Sequence, residues 1–118
     1  MKKLPVSEKV VMSAVKDALD LYGWTWVHFQ QARRANGSWA TPFEGKRGFP
    51  DFAACKPGRM IYLELKGTGG KTSSDQDEWL ELLSSVPGVE AHLITPGNMA
   101  CLPALLGPRR DDEPVEGS

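Results

Sequence analysis

Residues 48–67 read GFPDFAACKPGRMIYLELKG, and no other stretch limits the possible folds as tightly. Two apolar runs, about 51–55 and 60–66, flank Lys56-Pro57-Gly58-Arg59, whose Pro-Gly centre suits a tight turn. A hairpin centred there pairs Lys56 with Arg59 and Cys55 with Met60, and continuing the ladder sets Asp51 opposite Glu64. Directly opposed residues point to one side, with Cβ atoms roughly 4.5–5.5 Å apart. Alternation then gives that side to Glu64 and Lys66, and the other to Ile61, Leu63 and Leu65. The register is conditional: L-Pro-Gly is not the favoured two-residue hairpin turn, and a bulge would shift every pair by one.

The remaining chain supplies partners for this hairpin. Residues 7–22 predict a helix, with Ser7 as N-cap, Val11, Val15, Ala18 and Tyr22 on one side, and Gly23 at its end. Residues 24–30 alternate and are rich in aromatic and β-branched types, the pattern of a strand. Residues 31–47 read as a long polar loop, a length that in small domains goes with function or mobility. Trp79, Leu82, Leu83 and Val86 place an amphipathic helix over 74–85, ended by Pro87-Gly88, and 89–95 is a last strand before a short helix near 98–106. The order α-β-β-β-α-β is that of a single α/β domain, a mixed sheet flanked by helices, over 1–106. The Pro/Gly-containing acidic stretch 107–118 is expected to be a disordered tail.

A chain of 118 residues suffices for one domain with a real core. Its 41% hydrophobic and 25% charged residues are ordinary for a globular protein. No run approaches the roughly 20 apolar residues of a membrane span, and the start lacks the apolar core of a signal peptide, so a cytoplasmic protein is expected. Cys55 and Cys101 have no CxxC partner and read as reduced, buried thiols; two Cys and two His make a zinc site a poor fit. The net charge of −1 hides an uneven distribution. Between Arg33 and Lys71 eight basic residues oppose three acidic ones, a local balance of +5, whereas residues 107–118 balance at −2. A basic middle between acidic flanks suits a phosphate-facing surface, and equally a solvated loop.

Two carboxylates side by side destabilise a sheet, and a divalent cation converts that cost into a binding site. Mg²⁺ takes oxygen ligands and commonly uses one or two carboxylates plus water. An ammonium at Lys66 beside Asp51 and Glu64 then suits phosphodiester hydrolysis, because it neutralises charge that grows in the transition state. Against this stands a plain surface hairpin, in which Glu64 and Lys66 are solvated neighbours.

Pro50-Asp51 with Glu64-Leu65-Lys66 starting thirteen positions after Asp51 resembles the PD-(D/E)XK nuclease superfamily, and most of all its small stand-alone VRR-NUC branch. Glu8, His28, Gly48-Phe49-Pro50-Asp51 and Ser73-Ser74-Asp75-Gln76 extend the likeness over residues 7–95. The resemblance implies a restriction-endonuclease-like fold and a metal-dependent DNA endonuclease. It also implies a Mg²⁺ site, open to Mn²⁺, formed by Asp51, Glu64 and the Leu65 carbonyl, with Lys66 as the catalytic lysine. Branched DNA such as a Holliday junction is the expected substrate, and a homodimer the expected assembly, because coordinated cutting of two strands needs two sites. The apolar strand Trp24–Phe29 or the segment Met99–Leu106 is the candidate dimer surface. The alternative function is a non-catalytic nucleic-acid-binding module of the same fold.

Other positions carry two readings each. Glu8 is either a metal-site carboxylate or an acid complementing the helix dipole. Gln76 is either an active-site amide or the N3 residue of a capping box begun by Ser73. His28 is a satisfied, half-buried histidine or a DNA contact. Arg33, Arg34, Lys46 and Arg47 are candidate phosphate contacts or solvated charge. Of the four Trp, only Trp39, in the loop, is a candidate for base stacking.

Overall fold

The computed structural model describes residues 4–29, 32–33, 39–40 and 44–109, the two short inner segments by their backbone alone. Helix α1 spans Glu8–Leu21, with the Ser7 hydroxyl accepting from the Val10 N–H. It is followed by β1 (Thr25–His28), β2 (Ala32–Arg33), β3 (Trp39–Ala40), β4 (Phe52–Lys56) and β5 (Arg59–Leu65). Helix α2 covers Ser74–Ser84 and β6 Val89–Ile94, and a 3₁₀ turn, Met99–Cys101, leads into α3, Leu102–Leu106. The main sheet runs β1-β4-β5-β6, antiparallel except for the parallel pair β5–β6. The chain is thus an α/β domain with a four-stranded mixed sheet.

The β4–β5 register is the one expected from the Pro-Gly turn: Lys56 faces Arg59, Cys55 Met60, and Phe52 Leu63. Gly58 has φ 82°, the left-handed value that a turn with Pro at its first corner demands of its second. This register sends Phe52, Ala54, Ile61, Leu63 and Leu65 to the core beneath Val11, Val15 and Leu19 of α1. Trp24, Ile94, Leu102 and Leu106 close that core. Each of these large side chains contributes about 1.5–3 kcal/mol on burial. A slip of one residue would expose the whole β5 set, so packing holds the register that the turn begins.

Several expectations change. Residues 31–47 are not all loop, because β2 and β3 pair as a separate two-stranded ribbon, Ala32 with Ala40 and Arg33 with Trp39. Asn36-Gly37 between them, a dipeptide favoured in hairpin turns, was the overlooked signal. Cys55 and Cys101 are free but exposed, not buried, since Cys55 alternates away from the core-facing Ala54. Leu82 of α2 and Val86 just after it are exposed, and no residue of α2 is fully buried. Its Trp79 packs on Phe49 and donates to the Arg47 carbonyl, in the segment that leads into β4. Leu102 and Leu106 belong to the core, as does Trp24, so these residues of the two candidate dimer surfaces are committed to the fold. Gly107 is buried and donates to the Pro103 carbonyl, and Arg109 reaches Glu90, so the packed chain runs to 109. The rest of the expected tail lies outside the described residues.

Candidate active site

The site forms where β4 begins and β5 ends. Pro50 is fully buried and delivers Asp51 just before β4, where its main-chain carbonyl accepts from the Phe29 N–H at 2.8 Å. Its side chain continues the ladder that its backbone leaves: Asp51 Oδ2 accepts from the Leu65 N–H at 2.9 Å. Asp51 is thereby fixed close enough to Glu64 for its charge to act on that carboxyl.

Glu64 is 2% exposed, on the side of β5 away from α1. Its Oε1 accepts from Gln76 Nε2 at 2.8 Å and lies 3.8 Å from Lys66 Nζ. Among the described residues its other oxygen, Oε2, is buried without a hydrogen-bond partner. Burial first, and Asp51 second, push the Glu64 carboxyl up to about 8 against the opposing pull of Lys66. Without a cation, the Glu64 carboxyl therefore holds its proton at neutral pH.

Gln76 satisfies both of its readings at once. Its Oε1 accepts from the Ser73 N–H at 2.8 Å while the Ser73 hydroxyl accepts from the Gln76 N–H, a complete capping box. With the amide oxygen committed to the cap, the NH₂ end is turned to Glu64. Gly48 sets how close this helix start can come: it has φ 91°, and a Cβ there would stand 2.6 Å from the Asp75 carbonyl carbon and 2.7 Å from the Gln76 nitrogen. The first turn of α2 rests on the backbone just before Phe49-Pro50-Asp51.

Helix α1 is tied to the same place. Val6 and Thr68 exchange two hydrogen bonds, Val6 N–H to the Thr68 hydroxyl and Thr68 N–H to the Val6 carbonyl. A Cβ on Gly67 would stand 2.6 Å from the Glu8 nitrogen. Glu8 therefore stands near the carboxyl pair: burial and then Asp51 raise its carboxyl, and Lys66 lowers it. It shares the field of the pair without joining it, since no three His, Cys, Asp or Glu side chains among the described residues converge as a ligand set.

The other candidates are placed differently. His28 stacks on Phe52, centroids 4.6 Å apart, with Nδ1 buried and unpartnered among the described residues. Burial and then Lys16 lower its pKa, while Asp51 raises it. The Lys46 ammonium is engaged by Asp75 at 3.0 Å and Glu78 at 2.6 Å, and these hydrogen bonds, Glu78 before Asp75, raise its pKa. Arg47 is exposed, and its carbonyl accepts from the Trp79 indole at 2.9 Å. Arg34 and the side chains of Arg33 and Trp39 lie outside the described residues.

Sequence reading missed Phe49, whose ring contacts Phe29, Tyr62 and Trp79 at centroid distances of 5.5, 5.5 and 5.0 Å. Its signal lay between two backbone constraints, Gly48 and Pro50. Reading also missed Arg59, which is buried in a bidentate pair with Glu90. A turn position gave it the look of a solvated charge.

The fit of a divalent cation can be judged on these atoms. Two adjacent carboxyls, one carrying a buried oxygen without a partner among the described residues, form a donor set of the size Mg²⁺ uses alongside its waters. Compared with known proteins, the chain matches no family model and no curated protein.

Proposed function

We propose that this chain is a metal-dependent DNA endonuclease that hydrolyses phosphodiester bonds, with a restriction-endonuclease-like fold. The observation that carries the reading is the Oε2 of Glu64, without a partner among the described residues and buried beside Asp51 with Lys66 alongside. A buried acid whose charged form is so disfavoured is costly to keep unless its ionised state is used. The motif resemblance to PD-(D/E)XK nucleases, VRR-NUC above all, supports the same reading.

Asp51, Glu64 and the carbonyl of Leu65 would hold the cation, Mg²⁺ or Mn²⁺, with Glu8 nearby. Such an ion, when bound, lowers the pKa of water and polarises a phosphate oxygen. The chain's own residues do the remainder. Leu65 N–H holds the Asp51 carboxylate in place, and Gln76 holds one oxygen of Glu64 so that the other stays available. Lys66, half-buried and 3.8 Å from Glu64, can turn its ammonium to a phosphate oxygen as negative charge grows there. Arg47, with Arg33 and Arg34, would contact flanking phosphates, with His28 a further candidate contact.

The test is cleavage of branched and linear DNA of one sequence, in Mg²⁺ and in EDTA. The expected result is Mg²⁺-dependent cutting, stronger on branched DNA, lost in Asp51→Ala and Lys66→Ala variants that still fold and bind DNA. Undiminished cutting by Lys66→Ala in Mg²⁺ would remove Lys66 from the chemistry. A homodimer belongs to this proposal, because paired cuts across a junction need two sites. Light scattering that gives only the 12.9 kDa mass, with full activity on a four-way junction, would exclude it.

A further inference from the structure

At the level of the carboxyl pair, the sheet reads across as Phe29, Asp51, Glu64 and Leu93. The β1–β4 register ends at His28 with Phe52, and the Phe29 N–H bond to the Asp51 carbonyl carries it one step further. The β5–β6 register places Glu64 beside Leu93. Adjacent strands are about 4.8 Å apart, so Phe29 stands one strand from Asp51 and about 10 Å from Glu64. The ring of Phe29 meets that of Phe49, which touches Tyr62 and Trp79 on the α2 side of the sheet. All these rings therefore share the side on which Asp51 and Glu64 stand.

Helix α2 lies over β5 and β6 and leaves the β1–β4 half of that side uncovered among the described residues. There Val27, Phe29 and Phe49 are 47%, 46% and 40% exposed. Single exposed apolar residues are ordinary. Two half-bare aromatic rings in edge contact, one strand from a carboxyl pair, are a narrower arrangement. Their exposed area is far below the roughly 800 Å² per partner that a stable protein interface buries. It matches the π-face of one or two nucleobases, and exposed Arg47, two residues before Phe49, supplies a cation for the adjoining phosphate.

We propose that Phe29 and Phe49 form a stacking platform for an unpaired nucleobase flanking the phosphate at Asp51, Glu64 and Lys66. The inference rests on the nuclease reading above and narrows its substrate. In a paired duplex each base lies between its neighbours with both faces covered. A base at a flap, fork or single-stranded end can lie on the platform, and aromatic side chains bind such bases whatever their identity. The DNA is then selected for an unpaired nucleotide beside the cut and not for its sequence.

The test measures binding by fluorescence anisotropy, with Ca²⁺ replacing Mg²⁺ to suppress turnover. The probes are a labelled single strand, a fork with unpaired arms and a fully paired duplex of the same sequence. Wild type is expected to bind the first two more tightly than the duplex. Phe29→Ala/Phe49→Ala should weaken binding to unpaired DNA roughly 5- to 100-fold and leave duplex binding unchanged, the range found when one base–aromatic stack is removed. Phe29→Trp should retain the preference and quench 2-aminopurine placed next to the cleaved position. If the double variant fails to fold, Phe29→Ala alone carries the test, because its more exposed ring touches only Phe49 among the ring contacts of the described residues.

Equal losses on all probes, or none, overturn the platform while leaving the nuclease reading intact. A wild-type protein that neither binds nor cuts any of these DNAs overturns both. A concentration-dependent doubling of mass that Phe29→Ala abolishes assigns the patch to a second copy and overturns the platform.

Discussion

Glu64 shows how one residue can be wrong for stability and right for a site. Its carboxyl is raised from 4.5 to about 8 in the folded chain, with burial the largest cause. The folded state thus holds a proton that the unfolded state releases across that window. The associated stability is complete below about 4.5 and is lost as pH rises through about 8. Melts in EDTA should therefore show a Tm falling between pH 5 and pH 9, by roughly 5 °C or more. Glu64→Gln, which keeps an oxygen for the Gln76 amide and cannot ionise, should flatten that slope and be the more stable protein at high pH. Equal slopes in both proteins would remove Glu64 as the cause. On the proposed metal-site reading, added Mg²⁺ or Mn²⁺ should reverse the trend in wild type, because a cation there would expel the Glu64 proton and bind more strongly as pH rises. Chelation should restore the original slope, and Glu64→Gln should respond to neither treatment.

At the scale of the element, α2 is a short helix whose start matters more than its length. Its capping box holds Gln76, and the same amide reaches Glu64, so cap and site can be separated by choice of substitution. Gln76→Glu keeps an acceptor for the Ser73 N–H, as capping boxes allow, but sets a carboxylate against Glu64. The expected outcome is near-normal helix content by circular dichroism with cleavage reduced by at least about tenfold, the loss of one charge-orienting contact of about 1.4 kcal/mol. Unchanged cleavage would confine Gln76 to its capping role.

Gly48 tests the seating of the same helix. Gly48→Ala meets both a left-handed φ and the backbone of Asp75 and Gln76, whereas Gly45→Ala, at φ 104°, meets nothing within 4 Å. Backbone conformation alone costs about 1–2 kcal/mol, the most expected at Gly45. Urea unfolding should show a larger loss at Gly48, together with reduced cleavage. Similar losses at the two positions would mean that the close approach carries no weight.

Across the whole molecule, the end opposite the carboxyl pair is closed by charge as well as by apolar packing. Arg59, buried, binds both oxygens of Glu90 and the Leu105 carbonyl, and its guanidinium lies 4.9 Å from the Trp24 ring centre. Trp24 in turn donates to the Leu106 carbonyl at 2.8 Å. One side chain thus ties the hairpin turn, β6, α3 and the start of β1. Burial would raise the Glu90 carboxyl, but Arg59 and then Arg109 overcome it and hold it below its ordinary value. The stability this contributes is present above the ordinary carboxylate range and is lost as pH falls through the lowered value. Arg59→Ala should cost about 2–4 kcal/mol near neutral pH and less in acid, leaving the site's chemistry intact at temperatures where the chain stays folded. A variant destabilised equally at all pH values would show that Arg59 acts through packing alone.

The hairpin was legible because its determinants are local. A Pro-Gly turn, a strand that alternates and a carboxylate at a fixed count from the turn are enough to pair Asp51 with Glu64. Ser7 and the Ser73–Gln76 box were legible for the same reason, since each cap is made within one turn of chain. The sequence alone therefore determined which residues share a strand side and where two helices begin. It could not show that Gln76 reaches Glu64, that Val6 and Thr68 bring Glu8 near Asp51, or that Phe29 and Phe49 meet beside the carboxyls. Those contacts join residues 12 or more positions apart through the packing of α1 and α2 on opposite sides of the sheet. Nor could periodicity tell that Leu82 stays exposed while Arg59 is buried, because burial depends on which part of the sheet a helix covers. Local chemistry placed the carboxylates side by side, and tertiary packing decided the burial of Glu64, and with it the proton that carboxyl holds.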